Sequence, residues 1–268
     1  MRASPYVVLA LSAMSSALPT VSFEKRDLSD SIRDYFTAVG KHIEDIRSQP
    51  KIQLPMTCNL DKLIMPVANP ALPAPATGNK VVHVAIGRGV QNYTCADNKA
   101  TTIPVSVGAV ASLYNATCTG ANYPDLLDKM PGVAALFPVP NVNQQLTPPN
   151  LLLSGHHYFG DGTTPIFDLD VVPQRSYGLF VGKKDSASPA PASAPKGDPP
   201  RGSKAGTKGY GSVAWLKLTT KDGTPFGTSK GIKEVYRLNT VGGNPPTTCS
   251  GQPKAFSVDY AAEYWFFN

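Results

Sequence analysis

The sequence predicts a mainly β domain, an antiparallel β-sandwich or barrel of about eight to ten strands, preceded by one amphipathic helix. Three observations carry this. From Val81 onward short apolar runs alternate with polar residues at period two, turn residues follow each run, and sustained helical spacing of apolar residues appears over 27–49.

The strands come first. Val82, Val84 and Ile86 alternate with His83 and Ala85; Val105, Val107, Ala111 and Leu113 alternate with Ser106, Ser112 and Tyr114; Phe167, Leu169 and Val171 alternate with Asp168 and Asp170. Further strands are predicted over 151–159, 177–182, 213–219, 232–240 and 256–267. Roughly 190 residues suffice for one such domain with a substantial core.

Ahead of the strands, Leu28, Ile32, Tyr35, Phe36, Val39, Ile43 and Ile46 fall on one helical face, Asp27 or Ser29 can cap the start, and Pro50 marks the end. Such a helix gains little alone and is expected to pack on the outside of the sheet. Residues 50–80 carry Pro55, Pro66, Pro70, Pro73 and Pro75 and read as an extended connector. Residues 120–149, with a short helical signal at 124–129 among several prolines, read as an ordered loop over a sheet end. Residues 183–209 contain no large apolar side chain and read as a disordered insert in the β domain of 81–268.

Compartment is legible at the start of the chain. Arg2, the apolar run 6–14 and the small residues Ser15 to Ala17 have the form of a secretory signal peptide, 1–17, too short to span a bilayer. A short pro-segment, 18–26, ends in Lys25-Arg26, which resembles the site cut by fungal kexin-type proteases. The four cysteines, Cys58, Cys95, Cys118 and Cys249, form no C-x-x-C pair and read as two disulfides, with three pairings open. Asn92-Tyr-Thr and Asn115-Ala-Thr are glycosylation acceptors that fit a secreted chain. The formal net charge of +6 is a mild excess without a basic run, so no nucleic-acid partner is expected.

Candidate chemistry is sparse. Gly87-Arg88-Gly89 is half of a dinucleotide fingerprint, but Asn92 stands where a third small residue belongs; a turn or bulge between strands is the reading, and no cofactor is expected. Gly155-His156-His157-Tyr158-Phe159 is the most reactive-looking cluster. Adjacent histidines on a strand face opposite ways and do not share a metal, so no metal site is expected. His157 reads as a buried, hydrogen-bonded side chain; the alternative sets His156 or His157 against Asp168 or Asp170 as orienting carboxylate. Trp215, Tyr264 and Trp265 are candidates for an aromatic ligand platform, the alternative being that they pack under a loop or the helix.

The phrases from Val84 to Cys95, Gly108 to Asn115, Gly155 to Phe159, Val213 to Leu216 and Val235 to Asn244 resemble a family of secreted fungal proteins with bacterial relatives, defined as a domain of unknown function (3455). The resemblance runs from about Cys58 to Asn268, and Arg237-Leu-Asn-Thr-Val-Gly-Gly243 is its most specific part. The bacterial relatives keep cysteines like Cys95 and Cys249, which implies that these two pair and leaves Cys58 with Cys118. Some members carry a malate dehydrogenase label. The incomplete fingerprint, the lack of alternating strands and helices, and the absence of a cofactor supply outside the cell argue against that label here.

The reading that results is a secreted fungal glycoprotein acting as a non-enzymatic extracellular or cell-surface binding module, with a carbohydrate or cell-wall ligand as candidate partner and no membrane span. The rival is an extracellular hydrolase or isomerase built on His156 or His157 and a nearby aspartate.

Overall fold

The computed structural model describes residues 30–49, 57–140, 152–173, 175–204, 207 and 209–268. The signal peptide, the pro-segment with Lys25 and Arg26, and the capping residues Asp27 and Ser29 lie outside the described residues. Eight strands close into one barrel: β1 (Val81–Thr94), β2 (Val105–Asn115), β3 (Leu153–Phe159), β4 (Pro165–Asp168), β5 (Leu179–Ser188), β6 (Trp215–Thr220), β7 (Glu234–Gly242) and β8 (Ala255–Phe267). Every neighbour is antiparallel, and β8 pairs with β1 from Val81↔Phe267 to Thr94↔Ala255. Between sandwich and barrel, the chain is a barrel, and closure removes the exposed edges that a sandwich would have to protect.

The interior is filled by side chains. Large ones (Phe167, Phe180, Tyr260, Tyr264, Phe266) come from β4, β5 and β8, and small ones (Ala85, Ala109, Ala111) from β1 and β2. Gly87 and Gly89 complete the small side. They do not turn the chain, as the sequence suggested; both lie in the middle of β1. A Cβ on Gly87 would run into the Tyr264 ring, and one on Gly89 into the Val110 carbonyl and Ala111. The glycines therefore let large rings and a neighbouring backbone approach β1.

The outside of β6, β7 and β8 is buried too. Val84, Ile86, Trp215, Tyr236, Leu238, Trp265 and Phe267 form a second core, covered by Leu63, Met65 and Leu72 of the connector. The connector's backbone is tied down by name: Tyr236 Oη donates to Pro73 O (2.8 Å), Lys217 Nζ to Ala74 O (2.8 Å), and Ala76 N to the Glu234 carboxylate, which also pairs with Lys217 at 2.9 Å. Cys58 bonds Cys118 and Cys95 bonds Cys249, with Cα separations of 4.8 and 5.7 Å, the pairing that the resemblance implied.

Three expectations change. The N-terminal helix, α1 (Asp30–Arg47), packs not on the sheet but on α3 (Pro124–Leu127) and α4 (Met130–Ala134), which follow α2 (Thr117–Asn122) within the stretch read as a loop. Phe36 and Ile43 are exposed, so its packed face is narrower than the apolar spacing implied. The insert 183–209 is held in place over its described part: β5 runs through Ser188, Ala190 joins the outer core, Pro195 O accepts from Gly242 N, and Arg201 Nε pairs with Asp259 Oδ1 at 2.7 Å. Backbone hydrogen bonds to β7 and β8 do there what apolar burial does elsewhere, which composition does not reveal.

Candidate functional site

The barrel separates the two candidate histidines. His157 faces inward, stacks on Phe167 with ring centroids 4.0 Å apart, and its Nδ1 donates to Ile166 O at 2.9 Å. Burial drives its pKa down to about 3, so it stays neutral. His156 faces outward, directly opposite Asp168 in the β3–β4 register. Burial lowers its pKa, against the pull of Asp168, and its Nδ1 is buried without a hydrogen-bond partner. Asp168 accepts from Asp170 N at 3.1 Å, and Asp170 accepts from Ser176 Oγ and Gly178 N, bonds that hold its carboxyl low and shape the chain between β4 and β5. The structure thus brings His156 and Asp168 together across β3 and β4 while His157 turns into the barrel, and the histidines line neither depression described below.

The aromatics are separated too. Tyr264 is inside the barrel, its hydroxyl 2.9 Å from that of Tyr260. Trp265 is fully buried in the outer core, its Nε1 donating to Glu263 Oε2 at 3.0 Å. Trp215 is also nearly buried, yet it lines a cavity of about 230 Å³ on the outer wall, and its Nε1 has no hydrogen-bond partner.

That cavity is the best-formed candidate site. Trp215 and Asn239 line it from the barrel, Ser31 and Asp34 from α1, Asp128 from the α3–α4 junction, and Pro195 from the insert. Asn239 sits where β7 slips register against β8 between Leu238 and Val241, and its φ of 44° is left-handed, a conformation that asparagine tolerates better than most side chains. From there its Nδ2 donates to Glu263 Oε1 at 2.7 Å and to Asp128 Oδ1 at 3.2 Å. Glu263 is fully buried, and burial raises its pKa to about 7 against the opposing effect of the bonds from Asn239 and Trp265. Asp128 is raised as well, mainly by burial, with the charge of Asp125 adding to it. The result is a small pocket lined by the Trp215 indole, the Asn239 amide and the carboxyl groups of Asp34 and Asp128, of which Asp128 receives the bond from Asn239, with Glu263 buried behind.

A second depression, about 500 Å³, lies at one mouth of the barrel and is lined by Val82, Asp170, Tyr177, Lys230 and Asn268. Tyr177 is one of its walls and stacks on His83 at 4.2 Å. His83 is bonded on both sides, Nε2 to Ser154 Oγ (2.9 Å) and Nδ1 to Thr117 Oγ1 (3.1 Å), and burial lowers its pKa to about 4.

The two sequons differ in setting. Asn92 lies on the outward-facing side of β1, where its Oδ1 accepts from Ser257 Oγ at 2.8 Å. Asn115 pairs with inward-facing Ala85; its Nδ2 donates to Tyr177 Oη at 3.1 Å and its Oδ1 accepts from Thr117 N at 2.9 Å.

Asp128, Asn239 and Glu263 were not singled out from the sequence. The signal that reaches one of them is the Arg237 to Gly243 phrase, which contains Asn239; Glu263 is concealed in an apolar strand and Asp128 in a short helical segment.

The fold and site define an eight-stranded antiparallel barrel with a filled interior and a small pocket on its outer wall. Residues 75–268 match the family described as Protein of unknown function (DUF3455), and the chain belongs to it. Residues 9–73, with α1 and most of the connector, match a second family, Protein of unknown function (DUF2990), so the region resembling the first family begins later than Cys58. No curated protein and no solved structure matches the chain.

Proposed function

We propose that this protein is a secreted, N-glycosylated, non-enzymatic binding module of the cell exterior, and that its ligand is a small hydroxyl-rich group, such as one sugar ring or the end of a polysaccharide, held in the outer-wall pocket. The observation that carries this is the convergence of Trp215, Asn239 and Asp128 on one cavity, beside a barrel interior filled with side chains. An indole presents an apolar surface for a ring, while amide and carboxyl groups bond hydroxyls at its edge. About 230 Å³ is below the roughly 300–1,000 Å³ of clefts for drug-sized ligands, which favours a single small unit. Two disulfides and the N-terminal signal-like segment support an oxidising, extracytoplasmic setting. The rival enzyme on His156 or His157 has less support, because His157 is buried inside the barrel and neither histidine lines either depression, although His156 lies opposite Asp168. Screening the full chain on a glycan array tests the proposal: a hit that quenches tryptophan fluorescence supports it, and no binding to any glycan refutes it.

A further inference from the structure

We infer that the barrel interior binds a small monovalent anion against the Nε edge of Arg237, a site separate from the outer-wall pocket and independent of the function proposed for it. Arg237 pairs in register with Tyr264 and Leu216, both inward-facing, so its side chain enters the barrel. It is nine-tenths buried. Its Nη2 donates to Ala214 O at 2.8 Å, and Tyr264 also receives a hydrogen bond from it. Its Nε has no partner.

The groups around it do not neutralise the charge. Tyr93, Tyr260, Tyr264 and His157 all feel the charge of Arg237. Burial raises all three phenols, Tyr93 to about 12, so they keep their protons at neutral pH, and it keeps His157 neutral too. No carboxylate pairs with Arg237 among the described residues. A second donor lies on the same inner face: Gln91 is buried on β1, two residues beyond the Gly89 that pairs with Tyr260, and its Nε2, which interacts with the Tyr260 hydroxyl, makes no well-formed hydrogen bond.

An unpaired guanidinium in a low-dielectric interior is strongly unfavourable unless a counter-charge accompanies it. Water can satisfy an N–H group but leaves the charge. One cation among neutral neighbours calls for one negative charge, and the packed interior calls for a small carrier of it, of the size of chloride, bromide, nitrate or formate.

The test is the thermal midpoint of the full chain at constant ionic strength, with fluoride replaced stepwise by chloride, bromide, nitrate or formate. A saturable rise with at least one of these anions is expected. Gln91→Leu should raise the half-saturating concentration roughly tenfold, the loss of one hydrogen bond to a charged group. Arg237→Met, which replaces the charge with a shorter apolar chain, should fold with a midpoint indifferent to the anion. If that variant does not fold, wild-type crystals soaked in bromide decide: an anomalous peak beside Arg237 supports the site. A wild-type midpoint indifferent to all the anions overturns the inference, as does an anion response unchanged in Arg237→Met or a bromide soak without a peak at Arg237.

Discussion

The inner and outer faces of β7 and β8 are both buried, but in different ways. Inside, large rings close against glycine and alanine, so the protein itself takes up most of the space. Outside, the cover is assembled from separate pieces: connector, short helices, α1 and insert. Pieces brought from distant parts of the chain meet imperfectly, and the pocket over Trp215 lies where α1, the short helices and the insert meet. The comparison teaches that closure of the barrel makes the core, whereas the seams of its cover make the candidate site.

The largest effect that sharpens this contrast is steric. A Cβ at Gly89 meets backbone, which cannot swing aside, so Gly89→Ala should cost about 3 kcal/mol or more in denaturant unfolding. Gly40→Ala, in α1 with nothing within 4 Å, should instead add about 1 kcal/mol.

Titration separates the faces next. Glu263 on the outer wall has a folded pKa near 7 against an ordinary 4.5. Its folded state holds the proton more tightly, so its contribution is complete below about pH 4.5 and is lost as pH rises through 7, on the order of 3 kcal/mol. His157 inside runs the other way: its folded pKa is near 3 against 6.5, so its contribution is complete above 6.5 and falls on acidification. Unfolding curves across this range should show that Glu263→Gln abolishes the loss toward neutral pH and leaves the acid-side loss.

The sequons give a smaller contrast. If the chain is glycosylated as proposed, Asn92→Gln should remove one glycan's mass, read by mass spectrometry before and after deglycosylation. Asn115→Gln should leave the mass of attached glycan unchanged and destabilise by about 1–2 kcal/mol, because both polar atoms of Asn115 are already bonded. The disulfides differ least. Cys95–Cys249 spans 154 residues and Cys58–Cys118 spans 60, so opening the first should cost about 1 kcal/mol more on loop entropy alone.

All eight strands were legible, since alternation and turn residues are local signals; Val82 to Ile86 and Phe256 to Phe267 both became strands. Closure was not legible, because it depends on β8 finding β1 across some 160 residues, and neither pairing partner carries a local mark of it. The insert was misread for a related reason: Pro195 and Arg201 are fixed by backbone and charge partners that no composition reveals. At the site, Trp215 was singled out as aromatic, but Asn239 and Asp128 matter through a register slip and a helix junction, features of three-dimensional structure alone.

The central claim is that the ligand site is the outer-wall pocket and not the histidine strand. Its most direct test is a pull-down of wild type, Asp128→Asn and His156→Ala on insoluble chitin, β-1,3-glucan and mannan. Retention of wild type and His156→Ala by at least one polymer, with Asp128→Asn at least roughly tenfold weaker, is the expected result. Equal retention of Asp128→Asn and wild type, loss on His156→Ala, or retention of none of the three would contradict it.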